Sequence, residues 1–265
     1  MVEQRIVVCA DDRRQARIVG AVAPACRGLF VQSPGLVAHL DRNDAVAAVI
    51  DASFHNAALE SRMASLSCRG VPWPAIWIGV NDRTHLGRSA GGSATWLAPN
   101  ELQKRLPTVL RRALIDWRLA RAAERTHSRH GTAELLREAL SAMLSADPPM
   151  LSVTGVAAIC GVSRSHLLGM WRDDFMPVLH EKLRYVVDWV LLLRAAGLKS
   201  PSRTWAAVAH HLGTTRERLE RLAMARLGRD LESMEKDVGV AAVSAFDERV
   251  LRAAGIAERR SGTSC

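Results

Sequence analysis

The chain has 265 residues, 48% of them hydrophobic, with a mean hydropathy of +0.01. That is enough apolar material for a packed core, and the length favours two domains over one, so wholesale disorder is excluded. The formal net charge is +9, nearly all of it arginine because lysine occurs only at Lys104, Lys182, Lys199 and Lys236, and arginine forks suit phosphates and guanine edges.

The first part alternates strand and helix signals. Short apolar runs rich in β-branched residues lie at Arg5–Ala10, Gly28–Gln32, Ala45–Ile50, Ala75–Val80 and Ala94–Ala98. Segments able to carry helices separate or follow them, including Arg14–Ala25, Asn56–Ser67 and Glu101–Leu114. Strands alternating with helices through short connections predict a five-stranded parallel sheet covered on both faces, an α/β domain over 1–115.

From about Glu101 the strand-like runs vanish and helical spacing takes over. Glu101–Thr126 reads as one long helix leaving the first domain, Ser128–Thr132 as a break and Ala133–Ser145 as a further helix. Residues 116–150 thus form a helical connector, stopped at Asp147-Pro148-Pro149 because proline lacks an N–H and restricts the residue before it. An all-α domain follows over 151–236, then a C-terminal helix and a frayed tail over 237–265.

Two segments of that domain superpose at a constant offset of 52 residues: Ser152–Trp171 and Thr204–Ala223. Ser152 matches Thr204, Ala157 matches Ala209, Gly161 matches Gly213, Ser163 matches Thr215, and Leu167 matches Leu219. Each repeated type has a job. Ser152 and Thr204 cap a first helix, and the alanines let two helices cross closely. The glycines end the helix in a left-handed conformation. Ser163 and Thr215 cap a second helix, whose buried stripe is Leu167 and Met170 in one copy and Leu219 and Leu222 in the other. Helix, tight turn, helix at this spacing predicts two helix-turn-helix motifs. A helical hairpin inside a bundle is the competing structural reading.

The block from about Leu135 to Met234 resembles the DNA-binding domain of AraC-type transcription regulators, in which two such units flank a linker helix. GVSRSHL resembles the family's first turn and reading helix, His180–Ala196 its linker, and WAAVAHHLGTTRERL its second unit. Two positions depart from the pattern: Gly169 stands where the family often has a basic residue, and Thr214 where it has an aromatic. The resemblance implies a sequence-specific DNA-binding regulator with double-stranded DNA as partner. Residues opening each second helix, away from the leucine stripe, would meet base edges in the major groove. These are Arg164, Ser165 and His166, with Arg172 further on, and Arg216, Glu217, Arg218 and Arg221. Ser152 and Thr204 are candidates for phosphate contacts, since helix N-termini favour anions. For each arginine the alternative is an ordinary solvated face, and Glu217 paired with Arg221 needs no DNA.

The first domain resembles the receiver of two-component response regulators, with a flavodoxin-like sheet. Asp11 and Asp12 follow the first strand and Asp51 the third, as the family's acidic pair and phosphoacceptor do. The resemblance implies an acidic pocket able to hold Mg²⁺. Gly79 and Ala98 stand where the family has a hydroxyl and a lysine, so a degenerate receiver used for dimerisation, partner docking or signal input is expected. The alternatives are a phosphorylation-controlled regulator using Asp51 and an antagonist that acts on proteins without binding DNA. A homodimer and contact with RNA polymerase or another regulator are expected partners.

No catalytic residues or further cofactors are expected. Arg88–Thr95 has paired glycines but lacks GxGxxG spacing, and His210 and His211, adjacent on a helix, point different ways. Cys9, Cys26, Cys68, Cys160 and Cys265 form no CxxC pair, which favours a reducing compartment. No stretch approaches the roughly 18 apolar residues that span a bilayer. With no signal-peptide pattern at the start, a cytoplasmic, membrane-free protein is expected.

Overall fold

A computed structural model describes residues 5–9, 27–30, 45–54, 57–67, 73–79, 95–127, 134–174, 183–236 and 240–252. The chain divides into two compact units, the first mainly 1–117 and the second mainly 118–265.

In the first unit five short strands, β1 (Arg5–Cys9), β2 (Arg27–Phe30), β3 (Ala45–Asp51), β4 (Ala75–Ile78) and β5 (Thr95–Leu97), pair in parallel in the order β2-β1-β3-β4-β5. Helix α1 (Ala57–Leu66) joins β3 to β4, and α2 (Leu102–His127) follows β5. Leucines spaced by four along α2, at Leu102, Leu106, Leu110 and Leu114, bury one stripe against Val8, Ala47, Val49, Ile76, Ile78 and Leu97 of the sheet. Trp77 stacks on Trp96 with ring centroids 5.7 Å apart.

The five-stranded parallel sheet is present, but the expected receiver- or flavodoxin-like fold class is overturned. Helix makes up most of the described chain, and the strands are only three to seven residues long. Between strands α1 is the only described α-helix, and the segment expected at Arg14–Ala25 lies outside the described residues. The long helix expected over Glu101–Thr126 forms as Leu102–His127. The apolar runs at Gly28–Gln32 and Ala94–Ala98 carry the described strands Arg27–Phe30 and Thr95–Leu97. The protein is a predominantly helical chain with a small parallel sheet, not a receiver.

The second unit contains α3 (Glu134–Ser145), α4 (Val153–Ile159), α5 (Arg164–Asp174), α6 (Leu183–Leu198), α7 (Trp205–His211), α8 (Arg216–Leu227), α9 (Leu231–Lys236) and α10 (Val240–Phe246). Its axis is α6, buried at Leu183, at every position from Val186 to Leu193 and at Ala195, Ala196 and Gly197. A helix apolar all round must lie inside its unit. Trp189 of α6 meets Phe246 of α10 at 6.1 Å between centroids. Trp171, Trp189 and Trp205 are all core residues. Among the described residues no helix is long and apolar enough to cross a membrane.

Candidate nucleic-acid interface

The two repeats form the same local structure bond for bond. Ser152 Oγ accepts from the Gly155 N–H at 3.1 Å, and Thr204 Oγ1 from the Ala207 N–H at 3.2 Å. Both cap residues are extended, as an N-cap must be. At the other end Gly161 has φ +66° and Gly213 φ +65°. The N–H one residue later returns to the helix in each copy, Val162 to the Ala157 carbonyl at 3.0 Å and Thr214 to the Ala209 carbonyl at 2.9 Å. The glycine N–H groups donate to Ala158 and His210, at 3.2 and 3.0 Å. This doubly bonded left-handed close uses up carbonyls that the helix leaves unpaired.

Two residues on, the second caps repeat the pattern. Ser163 Oγ accepts from the His166 N–H at 3.1 Å and Thr215 Oγ1 from the Arg218 N–H at 3.2 Å. Leu167 and Leu219 are then fully buried, and so are Val156 and Ala157 in the first helix of one copy and Val208 and Ala209 in that of the other. The cap, the glycine and the leucine therefore fix the angle between the paired helices.

The outward residues of the second helices differ. On α5, Arg164, Ser165 and His166 are exposed, and Arg164 makes no hydrogen bond or ion pair with a described residue. Arg172, also exposed, pairs loosely with its neighbour Asp173 at 3.3 Å. On α8, Arg221 and Glu217 are exposed. The Glu217 carboxyl is held below its ordinary pKa, first by its own backbone N–H, then by the Thr215 hydroxyl, with Arg216 and Arg221 adding. Arg216 pairs with Glu232 of α9 at 2.9 Å, both half-exposed.

Arg218 is different. Its Nη2 donates to the Leu151 carbonyl at 3.0 Å and lies 3.7 Å from Asp188 of α6. Asp188 also receives Arg226 at 3.3 Å. Sequence reasoning placed Arg218 among base readers and passed over Asp188. The signal was there: a lone carboxylate inside the apolar run YVVDWVLLL must find cationic partners.

The acidic residues of the sheet unit make no described pocket. Asp11 and Asp12 lie outside the described residues, and no cluster of metal-ligating side chains is present among those described. Asp51 closes β3, and its Oδ1 accepts from both the N–H and the hydroxyl of Ser53, at 3.0 and 2.8 Å, which caps the short turn after the strand. Gly79, where a receiver has a hydroxyl, adopts φ +152°, and a Cβ there would sit 3.0 Å from the Ala52 Cβ. Threonine at that backbone would be strained and crowded.

In the turn of the first repeat Cys160 is half-buried, and that burial, with Glu138 nearby, raises its thiol pKa. It is a poor nucleophile there. No protein-family model, curated protein or solved structure matches the chain.

Proposed function

We propose that the helical unit binds duplex DNA as a transcription regulator of AraC-like organisation, laying α5 and α8 in the major groove. The observation that carries this reading is the duplicated cap–turn–cap, with matching hydrogen bonds and left-handed glycines 52 residues apart. A hairpin needed only for packing has no reason to keep both caps, both turns and a basic outward face in two copies.

The base-reading groups in this proposal are Arg164, Ser165 and His166 on α5 and Arg216, Glu217 and Arg221 on α8. The major groove admits one helix, and arginine forks onto guanine. Arg216 can exchange Glu232 for DNA because an exposed pair contributes at most about 1 kcal/mol. Ser152 and Thr204 accept the helix N–H groups, which leaves their hydroxyl protons for phosphate oxygens.

An electrophoretic shift screen of genomic fragments with excess random competitor tests the proposal. A competitor-resistant complex whose log affinity falls linearly with log salt is expected. Failure to shift any fragment at low salt removes the proposal and favours a role in protein contacts.

A further inference from the structure

Asp188 stands near the middle of α6 with its side chain only 5% exposed, ringed by three guanidinium groups. Arg226 reaches Oδ2 at 3.3 Å, Arg218 reaches Oδ1 at 3.7 Å and Arg184 lies 3.9 Å from Oδ2. A buried carboxylate persists only where it is paired in this way. Arg218 and Arg226 lie eight residues apart on α8, about 12 Å along its axis. One helix is thus held near both ends by the two oxygens of a single carboxylate.

The outer contacts extend this arrangement. The Arg226 guanidinium lies 3.6 Å from the centre of the Tyr185 ring, one turn before Asp188 on α6. The Arg218 guanidinium also donates to the carbonyl of Leu151, the residue before the Ser152 cap of the first unit. The side chain of Leu151 approaches the other turn, since a Cβ on Gly213 would lie 3.4 Å from its Cδ1. Leu151 is therefore where the entry of the first unit meets both the turn and the reading helix of the second.

We infer that Asp188 and Arg218 form a brace that fixes the distance and phase between the two reading helices, so that Arg218 is a positioning residue and not a base reader. The use of that fixed distance, matching two segments of one groove, rests on the DNA-binding reading; the brace itself does not. A hydrocarbon linker alone would leave the rotation of α8 to packing of Leu219, Leu222 and Ala223. A guanidinium hydrogen-bonded to a carbonyl of one unit and ion-paired at 3.7 Å with a carboxylate of the axis adds directional restraint.

The test places genetically encoded spin labels at the exposed positions Ser165 of α5 and Met224 of α8 in the full chain and measures the distance distribution by double electron–electron resonance. The intact protein should give one narrow peak. Arg218→Met, which keeps the aliphatic stem, and Asp188→Asn should each broaden it while helix content stays unchanged. If Asp188→Asn fails to fold, Arg218→Met alone decides. A distribution identical to the unsubstituted protein's in Arg218→Met overturns the brace. On a fragment that the protein binds, one base pair inserted between the two protected segments should weaken the intact protein several-fold more than Arg218→Met. Loss of discrimination at a single base in Arg218→Met would instead make it a reader and also overturn the inference. Absence of DNA binding by the intact protein counts against the proposed function, and the distance measurement still decides the brace.

Discussion

Position by position, the two helix-turn-helix units differ where their backbones agree. Arg164 of the first matches Arg216 of the second, His166 matches Arg218, Gly169 matches Arg221 and Arg172 matches Met224. Among the described residues Arg164 of the first makes no hydrogen bond or ion pair, whereas the second commits Arg218 to Leu151 and Asp188 and lends Arg216 to Glu232. The lesson is a division of labour between residue classes. Caps, glycines and leucines set the angle of the hairpin and tolerate little change. The basic residues on the same helix are available for other work, and in the second unit part of that work is internal.

The comparison breaks most severely at the shared leucines. Leu167→Ala and Leu219→Ala each remove a fully buried side chain and should cost about 2–5 kcal/mol in chemical denaturation. A loss below about 1 kcal/mol at either site would mean that the hairpin angle is set elsewhere.

The outward faces should respond unequally on DNA. Arg164→Ala is expected to cost about 1–3 kcal/mol on a specific site and less on random sequence. Arg216→Ala should cost less, because Arg216 must give up its pair with Glu232 to contact DNA, and Glu232→Gln should tighten binding slightly. Titration of the three variants against one fragment checks the order. An Arg164→Ala variant indistinguishable from the starting protein removes α5 from the interface.

The glycine turns should respond equally. Gly161→Ala and Gly213→Ala force a side chain into the left-handed region at about 1–2 kcal/mol each. Thermal melts of the two single variants should agree within error, and a neutral effect at either would show that its turn relaxes. Smaller and opposite in sign are Gly155→Ala and Gly169→Ala. Gly155 matches Ala207 in the second copy, a Cβ there would touch Ser152 Oγ at an ordinary 3.6 Å, and around Gly169 it would meet nothing. Both should stabilise by about 0.5–1 kcal/mol, the cost of glycine inside a helix.

What the sequence discloses follows the range of the interaction concerned. Ser152, Ser163, Thr204 and Thr215 are legible because a cap bonds an N–H two or three residues away, and the turns at Gly161 and Gly213 are equally local. The core faces of α2 and α6 are visible in their apolar spacing. The internal contacts of Arg218 are not legible because its partners are 30 and 67 residues distant, and nothing local separates it from Arg216 or Arg221. The five strands and the long helix from Leu102 are legible in local apolar spacing, whereas the receiver expectation rested on a resemblance and on no such spacing. Gly79 is an intermediate case: the missing hydroxyl is visible in the sequence, but its crowding against Ala52 needs the fold.

The most direct test is a hydroxyl-radical footprint of the full-length protein on its best genomic fragment. The account predicts two protected segments on one face of the duplex, their centres about 10 base pairs apart, with Arg164→Ala thinning one and Arg221→Ala the other. A single protected segment, or one that both substitutions weaken alike, would contradict two side-by-side reading helices.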